Sequence, residues 1–174
     1  MDRRHARLDE TTREVVMVGR ISAQKDPGFY ASAARAARSN VRWTWVGDGD
    51  AVMRSDLEQA GVTVTGWLPN AQVRQHLARA DLYLHSARWE GAPVTLLEAA
   101  AVGTPVLARG IAELEGLGFP LIEDCPDAAA CAVDRFFADL DFREGVRKAT
   151  SESVEIHSPL VQNRALEALY GNAR

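Results

Sequence analysis

Two glutamates, Glu90 and Glu98, lie within Ser86-Ala87-Arg88-Trp89-Glu90-Gly91-Ala92-Pro93-Val94-Thr95-Leu96-Leu97-Glu98. An ionised carboxylate accepts hydrogen bonds at two oxygens and suits vicinal sugar hydroxyls. Pro93 is a good residue to open a helix. The free amides of that helix's first turn, at Val94 and Thr95, can receive an anion. One short segment therefore offers hydroxyl acceptors next to a phosphate cradle. Taken alone, two glutamates at this spacing also suit an ordinary solvated helix face; the glycine, proline and alanine around them set the pair apart. A second cluster is Gly19-Arg20-Ile21-Ser22-Ala23-Gln24-Lys25-Asp26-Pro27. Arg20 and Lys25 precede a helix expected from about Gly28, whose positive N-terminal end would face the same space. Two cations there suit a phosphate or diphosphate, although two solvated surface charges would look the same. The chain has only two lysines, Lys25 and Lys148, among twenty basic residues. Lys148 has a solvated helical setting, whereas Lys25 falls in this loop.

Two further loops are weaker signals. Val46-Gly47-Asp48-Gly49-Asp50 has half of a dinucleotide fingerprint and lacks the third glycine. It equally suits a tight turn with Asp48 or Asp50 capping the next helix. In Gly66-Trp67-Leu68-Pro69-Asn70, Trp67 and Leu68 suit a flat base or local packing, and Asn70 suits a helix N-cap.

These loops need a scaffold, and the pattern around them supplies one. Short apolar strands are expected at 15–18, 41–46, 62–65, 82–85, 105–108 and 121–122. Helices are expected at about 28–38, 51–60, 71–79, 94–102, 127–139, 142–153 and 159–171. Strands apolar on both faces and alternating with helices predict an α/β fold, a doubly wound parallel sheet of about six strands with flanking helices. In such sheets ligands bind beyond the carboxyl ends of the strands, near the switch point. All four loops above fall on that edge. Residues 1–13 are polar and aperiodic and read as a tail or linker before a domain at 14–174. With 174 residues, 47% hydrophobic, and a net charge of −4, the chain fits one globular domain. It has no apolar run of the ~18 residues that a membrane span needs, no secretory signal and no basic surplus for nucleic acid. Cys125 and Cys131 make neither a disulfide framework nor a zinc site. A cytoplasmic location with reduced thiols is the expectation.

Glu90-Gly91-x-Pro93-x-x-Leu96-Leu97-Glu98-Ala99-x-Ala101-x-Gly103-x-Pro105-Val106 resembles the E-x7-E signature of retaining GT-B glycosyltransferases in the GT4-type family, glycosyl transferases group 1. Gly19-Arg20-Ile21-Ser22-x-x-Lys25 resembles that family's first-loop diphosphate motif, and the loops at Gly47 and Trp67 resemble its second and third loops. The resemblance implies one Rossmann-like half of a GT-B fold that binds the sugar donor, a UDP-, GDP- or other nucleotide diphosphate sugar. It implies no cofactor and no metal. Arg20 and Lys25 would grip the diphosphate and act with Glu90 in catalysis. Glu90 would contact the donor sugar and Glu98 the ribose. Gly47 would belong to the donor loops, amides near Gly91, Ala92, Val94 and Thr95 would hold sugar and phosphate oxygens, and the backbone at Trp67 and Leu68 would meet the base. Pro93 departs from the glycine of many members and offers no N–H. The acceptor, a glycan or lipid-linked sugar, would bind a second, N-terminal half absent from these residues, so the domain alone would be inactive. The full enzyme would then work in the cytoplasm, or at the inner membrane face, in polysaccharide, lipopolysaccharide or glycolipid synthesis. A non-catalytic nucleotide or nucleotide-sugar binding module is the alternative.

Overall fold

The computed structural model describes residues 13–157. Six strands, β1 (Glu14–Val18), β2 (Arg42–Val46), β3 (Thr63–Val64), β4 (Leu82–His85), β5 (Val106–Arg109) and β6 (Leu121–Ile122), form one sheet in the order β3-β2-β1-β4-β5-β6. Every neighbouring pair is parallel, with Val15 opposite both Trp43 and Leu82. The middle strands are buried on both faces, as their unbroken apolar runs require.

Among the described residues six α-helices connect or follow the strands: α1 (Pro27–Ala36), α2 (Ala51–Gln59), α3 (Asn70–Arg79), α4 (Val94–Ala101), α5 (Pro126–Ala138) and α6 (Leu140–Ile156). A one-turn 3-10 helix, Ala112–Leu114, follows β5. The chain walks outward from β1 through β2 to β3, then jumps across to β4 and continues to β6. Right-handed crossovers in opposite directions put α1 and α2 on one face and α3 and α4 on the other. In agreement, α1 packs against α2 and α5, and α3 packs against α4. The switch point is the seam between β1 and β4, where the helices that follow the two adjacent strands leave to opposite faces of the sheet.

Boundaries shift where capping chemistry decides. Helix α1 starts at Pro27 because Asp26, in the left-handed region at φ 48°, caps it by accepting from the Phe29 amide. Asp50 caps α2 through the amides of Val52 and Met53. The expected Asn70 cap is not made: Asn70 is the first helical residue, Pro69 holds the cap position, and no side chain caps α3. Arg13, assigned to the polar tail, donates to the Phe137 carbonyl at 3.2 Å and belongs to the domain. The remainder of that tail and the expected helix at 159–171 lie outside the described residues.

Beyond the strand ends the ladder continues. The Gly19 amide donates to Val46 (3.0 Å), Ile21 to Asp48 (2.9 Å) and Asp50 to Ile21 (3.0 Å). The loops after β1 and β2 are thereby fused, and Gly47 also bridges to Gly66.

Candidate functional site

The loops after β1 and β4 meet over the switch point. The Ser86 hydroxyl donates to the Lys25 carbonyl at 2.7 Å, and the Arg88 amide to the Gln24 carbonyl at 2.8 Å. These bonds bring Lys25 Nζ onto Oε1 of Glu90 as an ion pair with side-chain exposures of only 14% and 2%. Gln24 Nε2 reaches Glu90 Oε2 at 3.4 Å. His85, the last residue of β4, lies beneath with Nε2 3.0 Å from Glu90 Oε1, at hydrogen-bond distance but out of line. Its Nδ1 is 3.2 Å from the Tyr83 hydroxyl, which is 3.1 Å from the hydroxyl of Thr95 at the start of α4.

The electrostatics follow from this packing. Burial pushes the Glu90 carboxyl up, but the close approach of the His85 ring, the Lys25 bond and the Lys25 charge outweigh it and hold Glu90 below its ordinary range. Burial pushes His85 down, and Lys25 pushes the same way against the pull of Glu90. Burial raises Tyr83, and both Glu90 and Glu98 add to the rise, so the two carboxylates act on one hydroxyl.

A buried arginine braces the floor. Arg109, closing β5, donates to Asp26 Oδ2 at 2.7 Å and to the Ser86 carbonyl at 3.1 Å, pairs with Asp124, and lies 4.4 Å from the Phe29 ring centroid. Burial raises Asp26, but the Arg109 bond, the Phe29 amide and the Arg88 charge hold it low. The N-terminus of α1 was expected to face an incoming anion. It is occupied by the protein's own Asp26 carboxylate instead.

Of the residues singled out from sequence, Lys25, Glu90 and Thr95 converge. Arg20 is exposed, has no carboxylate partner among the described residues, and lies 5.9 Å from the Trp67 ring centroid. Trp67 is 64% exposed, whereas Leu68 packs against the core. Gly91, Ala92, Val94 and Glu98 are exposed along the α4 entrance, and no side chain caps that helix. The Val94 amide is engaged, donating to the Ala92 carbonyl at 2.9 Å. Gly47 is buried at φ 140°, and a Cβ there would stand 2.2 Å from the Gly19 carbonyl oxygen. Gly49 stands in the same relation to Ile21. These glycines fuse two loops. Asp50 makes one of the two caps that a tight turn here allows, and Asp48 pairs with Arg54. Among the described residues no group of three or more His, Cys, Asp or Glu could hold a metal ion, and no helix is long and apolar enough to cross a membrane.

Tyr83, His85, Gln24 and Arg109 escaped the sequence reading. The signal available was a polar residue closing an otherwise apolar strand, as His85 closes β4 and Arg109 closes β5.

The family model for glycosyl transferases group 1 matches residues 12–139. The chain belongs to that family. Proteins similar to it include the putative teichuronic acid biosynthesis glycosyltransferase TuaC of Bacillus subtilis, 35% identical over 105 residues that cover 60% of this chain and 26% of TuaC. The amylovoran biosynthesis glycosyltransferase AmsK of Erwinia amylovora is 31% identical over 119 residues, 58% of this chain and 29% of AmsK. The chain spans between 26% and 40% of the length of the curated relatives it matches. Among solved structures, Anabaena HepE in complex with UDP and glucose superposes with a TM-score of 0.76 at 17% identity, over 92% of this chain and 48% of HepE. The catalytic domain of cholesterol-alpha-glucosyltransferase from Helicobacter pylori superposes with a TM-score of 0.71 at 20% identity, over 85% of this chain and all of that one. The fold is accordingly the Rossmann-like sheet of a GT-B glycosyltransferase.

Proposed function

We propose that this chain is the nucleotide-sugar donor-binding domain of a retaining glycosyltransferase that builds a glycan. One observation carries this: Lys25 and Glu90, from loops far apart in sequence, meet at the switch point with a partly enclosed ammonium and a buried carboxylate. Lys25 and Arg20 hold the donor diphosphate. As the bond from the anomeric carbon to the diphosphate breaks, negative charge grows on the leaving oxygen, and two preset cations stabilise it there. The acceptor hydroxyl joins that carbon on the face the diphosphate leaves, and its proton passes to the departing diphosphate oxygen. Glu90 meets the sugar hydroxyls, Glu98 the ribose, and the uncapped start of α4 the phosphate and sugar oxygens. Trp67 lies beside the base. The reaction needs no resident cofactor or metal in this account.

Four of the seven exposed large hydrophobics among the described residues, Val52, Trp67, Trp89 and Val94, sit on the loop edge that carries these groups. An apolar rim of this kind suits a covering body. That body is an N-terminal half carrying the site for a glycan or lipid-linked acceptor, and the domain alone transfers little sugar because an open, wet cleft weakens every charge contact. The compartment is the cytoplasm, with the whole enzyme peripheral at the inner membrane face where its acceptor is lipid-linked.

Calorimetry with UDP, GDP, UDP-glucose, UDP-galactose, UDP-N-acetylglucosamine and GDP-mannose tests the assignment. At least one binds, and Arg20→Ala with Glu98→Ala removes that binding. No binding at millimolar concentration, or binding untouched by the double substitution, overturns it.

A further inference from the structure

His85 is buried, conspicuously polar, and assigned no part in the donor contacts above. Its two ring nitrogens face different chemistry. Nδ1 faces the Tyr83 hydroxyl at 3.2 Å, with the rings stacked at 5.9 Å and 28°. Nε2 faces Glu90 Oε1 at 3.0 Å. The charged and titratable groups around the ring are Lys25 from the loop after β1, Glu90 from the loop after β4, Tyr83 on β4 itself and, through Tyr83, Glu98 on α4. A bare Nε2 would set a lone pair against a carboxylate, and a doubly protonated ring would set a second buried cation near the Lys25 ammonium. The neutral ring with its proton on Nε2 avoids both. Tyr83 then donates to Nδ1 and accepts from Thr95.

We infer that His85 is the positioning residue for Glu90: a relay of Thr95, Tyr83, His85 and Glu90 ties the entrance of α4 to the carboxylate, with His85 Nε2 donating to it. The inference rests on the donor-site assignment and deepens it. A bound diphosphate competes with Glu90 for the charge and the three N–H donors of Lys25. To the extent that a diphosphate draws the ammonium away, Glu90, buried in the pair as it stands, needs other donors. His85 and Gln24 are the donors at hand. Nε2 has no partner in line and stands 3.0 Å from Oε1, so a small turn of the carboxylate completes the bond.

Two measurements test this on the whole chain. Nitrogen-15 NMR of the ligand-free protein at neutral pH reports the His85 tautomer. The expected state is neutral with the proton on Nε2, relaxing toward mixed tautomers in Tyr83→Phe. A charged ring or a proton on Nδ1 overturns the relay. Calorimetry then compares UDP with UDP-glucose, or GDP with GDP-mannose, whichever sugar nucleotide binds. His85→Leu weakens the sugar nucleotide about tenfold, the size of one lost hydrogen bond to a charged group, and leaves the bare diphosphate within about twofold. His85→Gln, which keeps an N–H near the Nε2 position, restores most of the loss. A purely structural histidine moves both ligands together or neither, and either result overturns the inference. If the wild-type chain binds no nucleotide at all, the donor-site assignment falls and with it the role in donor binding. The tautomer measurement then decides separately whether the relay exists.

Discussion

Gly47 and Gly91 both stand on the ligand edge, and the space around them differs. A methyl at position 47 meets the Gly19 carbonyl oxygen at 2.2 Å and needs a φ of 140°, so Gly47→Ala is expected to cost about 2–4 kcal/mol in denaturant unfolding. A methyl at position 91 meets nothing within 4 Å. Gly91→Ala is therefore expected to leave stability within about 0.5 kcal/mol, while weakening sugar-nucleotide binding in calorimetry by filling the approach to α4. Removing a charge from the Lys25–Glu90 pair separates its two duties. Glu90→Gln frees the Lys25 ammonium, so a bare nucleoside diphosphate is expected to bind more tightly and the sugar nucleotide less tightly. Acid loosens the site in two stages. The native His85 ring is held below its ordinary value of 6.5, by burial first, so the unfolded chain binds the proton more readily and stability falls as pH drops below about 6.5. Glu90 and Asp26 sit below their ordinary 4.5 and 3.8 because the His85 ring close to Glu90 and the bonds to Lys25 and Arg109 outweigh burial, and their stabilisation is lost as pH falls further. Melting temperature followed from pH 8 to pH 3 is expected to fall in both ranges, and His85→Gln removes the upper stage.

At the level of elements, the floor of the site hangs on the end of β5. Arg109 joins β5 to the cap of α1 and to the loop after β4. Arg109→Met strands the partly buried Asp26 carboxylate with only the exposed Arg88 and the Phe29 amide, and about 3 kcal/mol of stability is expected to go. Thermal unfolding at pH 7 measures it. How legible such elements are in the sequence depends on the range of the interactions that fix them. The strands around Val16, Leu84 and Leu107 are apolar on both faces, and their place in a buried parallel sheet was readable from that alone. Asp50 could be read as a cap because a cap acts over three residues. Arg109 and Asp26 are 83 residues apart, and Lys25 and Glu90 are 65 apart. No local pattern announces such pairs, so Arg109 was missed and Lys25 and Glu90 were expected as separate ligand groups rather than each other's partners. The Gly47-x-Gly49 pair stayed open between a donor loop and a tight turn for a related reason: a glycine that lets a ligand approach and one that lets a backbone approach are spelled alike.

For the molecule as a whole, the sheet order places the β1–β4 seam at its centre and leaves an apolar rim above it. The isolated chain is expected to self-associate through that rim. Replacing Trp67 and Trp89 with serine is expected to lower its weight-average mass in sedimentation while leaving its melting temperature in place. The fused loops after β1 and β2 bear on motion. Because the amides of Gly19, Ile21 and Asp50 are bonded as if they were strand residues, they are expected to exchange with deuterium as slowly as those of β1 and β2. A ligand edge built into the sheet's ladder opens only when the sheet opens. The loops after β1 and β2 have no hinge of their own there, so on the proposed reading closure over a donor falls to the loop after β4 or to the proposed N-terminal half, with this corner as the fixed anvil.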